Sequence, residues 1–225
     1  MKIKIATSLL LGTVLAMAAD DAPKRLAESA TVISEIMDTP DKGIPQELLD
    51  RSQCVIVVPG VKKAAFIVGG KYGRGFFSCR GPHGHGWTAP AAVKMEGGSF
   101  GFQIGASETD VVMLVMNDGG MGKLLKDKFT LGADASVAAG PVGRTSAAET
   151  DPLMHAEILS WSRARGVFAG IALNGATLRP DEETNKELYG KNVTNPELAE
   201  GKVRTPAVAR TLTSKLTKYS SKKTS

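Results

Sequence analysis

The chain has 225 residues, of which 25 are glycine and 5% aromatic, enough for one large domain with a real core. Its formal charge of +5 belongs to the ends: Lys2, Lys4 and the seven basic residues from Lys202 onward take nine of 28 basic side chains, and the 19 that remain face 23 acids, a net of −4. That distribution argues against nucleic acid as a partner, because the electrostatic footprint should then cover a face of the fold.

Met1-Lys2-Ile3-Lys4 and the apolar run to Ala18, with small residues at Ala16 and Ala18, predict a secretory signal over 1–18. The run is too short for a spanning helix, which needs roughly 20 apolar residues. No later stretch is long and apolar enough to be transmembrane. The expectation is a periplasmic or secreted protein, peripheral to a membrane, with its domain over 19–201.

From Ala22 to Met37 an amphipathic helix is predicted: Leu26, Ala30, Ile33 and Met37 recur at helical spacing while Lys24, Arg25, Glu28 and Glu35 fall elsewhere. Such a stripe more often packs on a sheet than inserts into lipid. A short helix follows at Ile44–Leu49. Val55-Ile56-Val57-Val58, ended by Pro59-Gly60, predicts a buried strand, Ala64–Val68 a second and Phe76–Cys79 a third. Cys54 and Cys79 would pair in an oxidising compartment. In a simple three-stranded meander they lie at opposite ends, so either the sheet is not such a meander or the thiols stay free.

Strands are predicted at Ala91–Met95, Gly98–Gly105 and Val111–Met116, and a helix at Asp118–Lys126. Late strands are predicted at Thr130–Gly140 and Gly166–Leu173, a strand or short helix at 157–162, and a helix at Glu182–Tyr189. The basic stretch 202–225, rich in Ser, Thr and Lys, reads as a mobile tail. The fold class is α+β: a curved, mostly antiparallel sheet, barrel- or sandwich-like, with an N-terminal amphipathic helix and short flanking helices.

Catalytic signatures are missing. His83-Gly84-His85 offers two imidazoles but no third ligand at a recognised spacing, and reads as a solvated turn. Asn117–Lys123 fails the phosphate-loop pattern, with Asn117 where the first glycine belongs and Leu124 in the Ser/Thr position. No metal or cofactor is expected. An undetected enzyme would have to use His83, His85, Asp110 or Arg144; the last two read better as an ion pair or turn formers. The positive signal is charge. Between Arg51 and Met95 there are seven basic residues, Arg51, Lys62, Lys63, Lys71, Arg74, Arg80 and Lys94, and no acid. Such a block on strands and turns fits anionic lipid headgroups, each cation contributing about 1 kcal/mol near the surface. It also fits a merely solubilising surface.

Several segments, in order, closely resemble the SYLF domain family: Cys54–Pro59, Gly69–Gly75, Trp87–Pro90, Gly101–Ala106, Thr109-Asp110, Leu131-Gly132, Ser136–Arg144 and Ser162–Gly170. The resemblance implies phospholipid binding and no enzymatic activity, with actin binding among fungal members. It places lipid contacts on the first helix and a basic surface, here Lys24 and Arg25 with Lys62, Lys63, Lys71, Arg74, Arg80 and Lys94. Taken with the predicted signal, it suggests a bacterial exported member of the cell envelope, for which actin is not an expected partner. The alternative is an envelope structural or assembly protein that binds another protein or peptidoglycan.

Overall fold

The computed structural model describes residues 22–39, 43–66, 68–100, 105–143, 155–164 and 166–222. The predicted signal and Arg144 lie outside the described residues, as does the side chain of His83.

Helix α1 spans Ala22–Met37. Leu26, Ala30, Val32, Ile33 and Ile36 are all buried, and they join the apolar cluster on one face of the sheet. Burial of Leu26, Val32, Ile33 and Ile36 contributes roughly 2 kcal/mol each. Detaching α1 to insert this stripe into lipid would forfeit most of that. A short α2 follows at Gln46–Arg51, with Leu48 and Leu49 in the same cluster.

Strands β1 (Cys54–Phe66) and β2 (Val68–Cys79) form one long antiparallel hairpin rather than parts of a three-stranded meander. Pro59-Gly60 does not end the first strand. Val57 pairs with Phe76 and Lys62 with Tyr72, so β1 spends one more residue than β2 over that interval, which is a β-bulge. Gly60 supplies the left-handed backbone (φ 58°), and its N–H, lost to the ladder, donates to Asp110 Oδ1 at 2.9 Å. With two long strands instead of three short ones, Cys54 falls opposite Cys79, and the two form a buried disulfide.

The remaining strands are β3 (Ala91–Phe100), β4 (Gly105–Val115), β5 (Phe129–Thr130), β6 (Val137–Ala139), β7 (Ile158–Ala164), β8 (Val167–Gly170) and β9 (Ala176–Pro180). They assemble in the order β5-β9-β3-β2-β1-β4-β7-β6, with β8 paired to β7. Only the β6–β7 pairing is parallel among the described strands. The curved, mostly antiparallel sheet and its flanking helices are the α+β architecture expected from the sequence.

Both faces of the sheet are covered, which explains the continuous apolar runs of β1 and β4. Ile56, Val58, Phe77, Met95 and Met113 point into one core, closed by Leu124 of α3 (Asp118–Leu124) and Leu198 of a short helix over Asn195–Ala199, here α5. Val55, Val57, Phe76, Leu114 and Trp161 point into the other, closed by α1 and α2. Between β9 and α5 lies α4 (Glu182–Tyr189), capped by Asp181, whose side chain accepts from the Thr184 N–H.

The stretch from Lys202, expected to be mobile, contains a further packed helix, α6 (Arg210–Tyr219). Leu212 and Leu216, one turn apart, and Ala209 are buried in the cluster that also holds α1. Three apolar side chains on one narrow stripe suffice to dock a helix, yet they vanish in the average hydropathy of a segment rich in Lys, Ser and Thr.

Candidate functional site

The structure separates the cationic block into three settings. Arg80 is the first. It is buried, stacks 4.0 Å above the Trp87 ring, and donates to the carbonyls of Leu49 (2.7 Å), Ser52 (3.2 Å) and Ser220 (2.9 Å) and to Ser220 Oγ (2.5 Å). Burial pulls the guanidinium down to about 10, against the pull of Asp50, so it stays charged at neutral pH. Arg80 therefore clamps the end of α2 to the end of α6, with Nε, Nη1 and Nη2 each donating to a group of the protein. In sequence a lone arginine between strands shows its charge, not the carbonyls that accept from it in the fold.

The second setting is built around Asp181. This fully buried carboxylate has Lys94 Nζ at 3.1 Å and Arg74 Nε at 3.5 Å, and Arg74 also donates to Tyr72 Oη at 2.6 Å. Arg74 and Lys94 are Cα partners across β2 and β3, which brings both to the same point of one face. Arg25 of α1 is buried beside them, 5.7 Å above the Phe76 ring; burial first, then Arg74, lowers its pKa, while Asp181 opposes. Three cations thus surround one carboxylate. Their arrangement braces α1, β2, β3 and the start of α4. Lys24, by contrast, is exposed on α1 and lies 3.8 Å from Glu28.

The third setting is the far end of the β1–β2 hairpin. Lys63 and Lys71 are Cα partners in the ladder, with Lys62 adjacent and exposed. Like charges directly opposite across strands destabilise a sheet. Lys71 is half-buried, its chain running over Gly97, and its pKa is lowered, by burial first and by Lys63 second. From Cys54 to Lys63 the strand covers about 30 Å at roughly 3.3 Å per residue. The hairpin-end lysines and Arg80 therefore sit at opposite ends of the sheet.

Asp181 does not stand out by charge in the sequence, although Asp181-Glu182-Glu183 before an amphipathic stretch carries a visible capping signal. Arg163 does not stand out either. Asp110 pairs with Arg163 (Nε 2.7 Å), which also holds Glu35, so α1 is tied to β4 and β7. Burial raises the Asp110 pKa, the Gly60 N–H opposes this, and Glu108 adds to it. His85 is exposed and forms a backbone bridge with Lys222. Among the described residues, no three His, Cys, Asp or Glu side chains gather as a metal ion would require.

A two-faced curved, mostly antiparallel sheet braced by helices, with unlike clusters of cations at its two ends, defines an α+β class of module. The profile of the family described as "Ysc84: Las17-binding protein actin regulator" matches residues 96–219. The chain belongs to that family, whose members are non-catalytic. It is 33% identical to the SH3 domain-containing YSC84-like protein 1 of Xenopus laevis over 85% of this chain and 56% of that protein. It is 32% identical to the protein of the same name from Rattus norvegicus over 91% of this chain and 59% of that protein. Protein YSC84 of Saccharomyces cerevisiae is 31% identical over 75% of this chain and 36% of its own length. The chain thus spans little more than half the length of the vertebrate relatives.

These comparisons correct two expectations and leave a third without support. The periplasmic or secreted location, and the cell-envelope role tied to it, are overturned, because the relatives are eukaryotic and the family is described as an actin regulator, which must reach actin. The exported bacterial identity and the peptidoglycan or envelope-protein partner find no support in them. Actin, not expected as a partner, is what the family description itself names. A short apolar run behind two lysines reports hydropathy, and hydropathy alone does not fix a destination.

Proposed function

We propose that this chain is a non-catalytic module that holds anionic phospholipid headgroups at the end of the β1–β2 hairpin. The observation that carries the reading is the Lys63–Lys71 pair, two like charges set opposite each other in the ladder, with Lys62 next along β1 on the other face, opposite Glu108 of β4. A phosphate placed between the two ammonium groups is attracted by both, and each cation near an anionic surface contributes about 1 kcal/mol. Lys24 adds a cation on the exposed side of α1. Arg74, Lys94 and Arg25 act one step back, by fixing the strands and helix that carry these lysines.

Co-sedimentation with phosphatidylcholine vesicles, with and without phosphatidylserine and at low and high salt, tests the reading. The variant Lys62→Gln/Lys63→Gln/Lys71→Gln should lose about 100-fold in partitioning at low salt, from about 1 kcal/mol per cation. Lys71→Gln alone should weaken binding while leaving the melting temperature equal or higher. Its pH signature has a definite sign. The folded-state pKa lies below the ordinary 10.5, so the unfolded chain holds more protons as pH approaches that value, and stability rises with pH across the window. Lys71→Gln should flatten that rise. Salt-independent binding to neutral vesicles would refute the electrostatic mode.

A second reading, favoured by the family description, is binding to actin filaments. Filament co-sedimentation with the same variants separates the two.

A further inference from the structure

From the ordering of the C-terminal segment, we infer that the outer face of α6 is a second docking surface for anionic lipid headgroups, distinct from the hairpin end. The inference rests on the lipid reading above. No acid occurs from Lys202 to Ser225. Because Leu212 and Leu216 are buried against the α1 layer, the row Arg210, Ser214 and Lys218, one turn apart, must face outward, and all three are exposed. Arg204 before the helix and Lys222 after it are exposed as well, and Lys215 is half-buried. Among the described residues, none of these five cations is in an ion pair with a carboxylate; Lys218 contacts the Tyr219 ring.

Two features point to a membrane surface. The charges are held in place rather than carried on a loose tail. The Tyr219 hydroxyl donates to Asp38 at 2.9 Å, the Ser220 carbonyl accepts from Arg80 and Trp87, and the Ser220 hydroxyl donates to Asp50 at 2.5 Å. The face also lacks the anchor a protein interface needs: the exposed large apolar residues among those described are Tyr72, Val142 and Val167, none on α6. Thr211, Ser214 and Thr217 are exposed between the cations. Fixed cations interleaved with small hydroxyls suit a diffuse layer of phosphates, and without apolar groups the helix rests at headgroup level instead of inserting.

The test compares wild type, the hairpin triple variant, and Arg210→Gln/Lys215→Gln/Lys218→Gln/Lys222→Gln. Each is assayed on phosphatidylcholine vesicles with and without phosphatidylserine, and on actin filaments. The α6 variant should keep the wild-type melting temperature and lose about fivefold in vesicle partitioning for each cation removed, at low salt. Lys215→Arg/Lys218→Arg/Lys222→Arg, which keeps the charge, should bind as wild type does. If wild type binds phosphatidylserine vesicles and the α6 variant binds them equally, the inference is overturned and the lipid reading stands. Loss of filament binding with vesicle binding intact would assign the face to an acidic protein and overturn it too. Should wild type itself ignore phosphatidylserine, both fall together.

Discussion

Arg80→Met is expected to destabilise the fold by about 4 kcal/mol, the range for breaking a buried, charge-assisted network. The guanidinium saturates carbonyls from the end of α2 and from Ser220 beyond α6 while stacking on Trp87. Methionine fills much of the volume but leaves those carbonyls short of donors. Arg80→Lys should rescue little, because a single ammonium cannot reproduce the planar fork. The loss should concentrate at the C-terminus: amide exchange in α6 should accelerate well before that of β1 and β4. Urea denaturation followed by circular dichroism gives the magnitude, and a loss under 1 kcal/mol would show that water replaces the clamp.

Asp181→Asn should cost about 3 kcal/mol for a different reason. Asparagine caps a helix as well as aspartate does, so the bond from the Thr184 N–H to the capping side chain survives and only the charge is removed. Arg74 and Lys94 then face each other across the ladder, with Arg25 beside them and no carboxylate at Asp181 to offset them. The deficit should shrink as salt rises, because the residual repulsion is screened at the partly exposed Arg74 and Lys94. A melting temperature unchanged from wild type would mean that these cations are already neutralised elsewhere.

The two variants divide the expected site along a line that could not be drawn from charge alone. Of the eight basic residues assigned to lipid, Arg80 belongs to a clamp, Arg25, Arg74 and Lys94 belong to the bracing of α1 and α4, and Lys24 stands exposed on α1 near Glu28. Lys62, Lys63 and Lys71 are left as the hairpin-end group, and α6 contributes cations that hydropathy had placed in a loose tail. The bulge at Pro59-Gly60 matters most here. It keeps β1 continuous, sets Cys54 opposite Cys79 and Lys63 opposite Lys71, and sends its spare N–H to Asp110.

What the sequence by itself determined was whatever repeats locally. The 3.6-residue stripe of α1, the two-sided apolar runs of β1 and β4, the helix over Glu182–Tyr189 and the family motifs can all be read within a dozen residues of chain. Only the tertiary structure decided which charges are committed to other groups. Asp181 meets Lys94 and Arg74 across 87 and 107 residues of chain, and Arg80 meets Ser220 across 140. The reason is physical: periodicity is written by neighbours in sequence, whereas a charge's partner depends on strand register, and a one-residue slip sends every side chain to the other face.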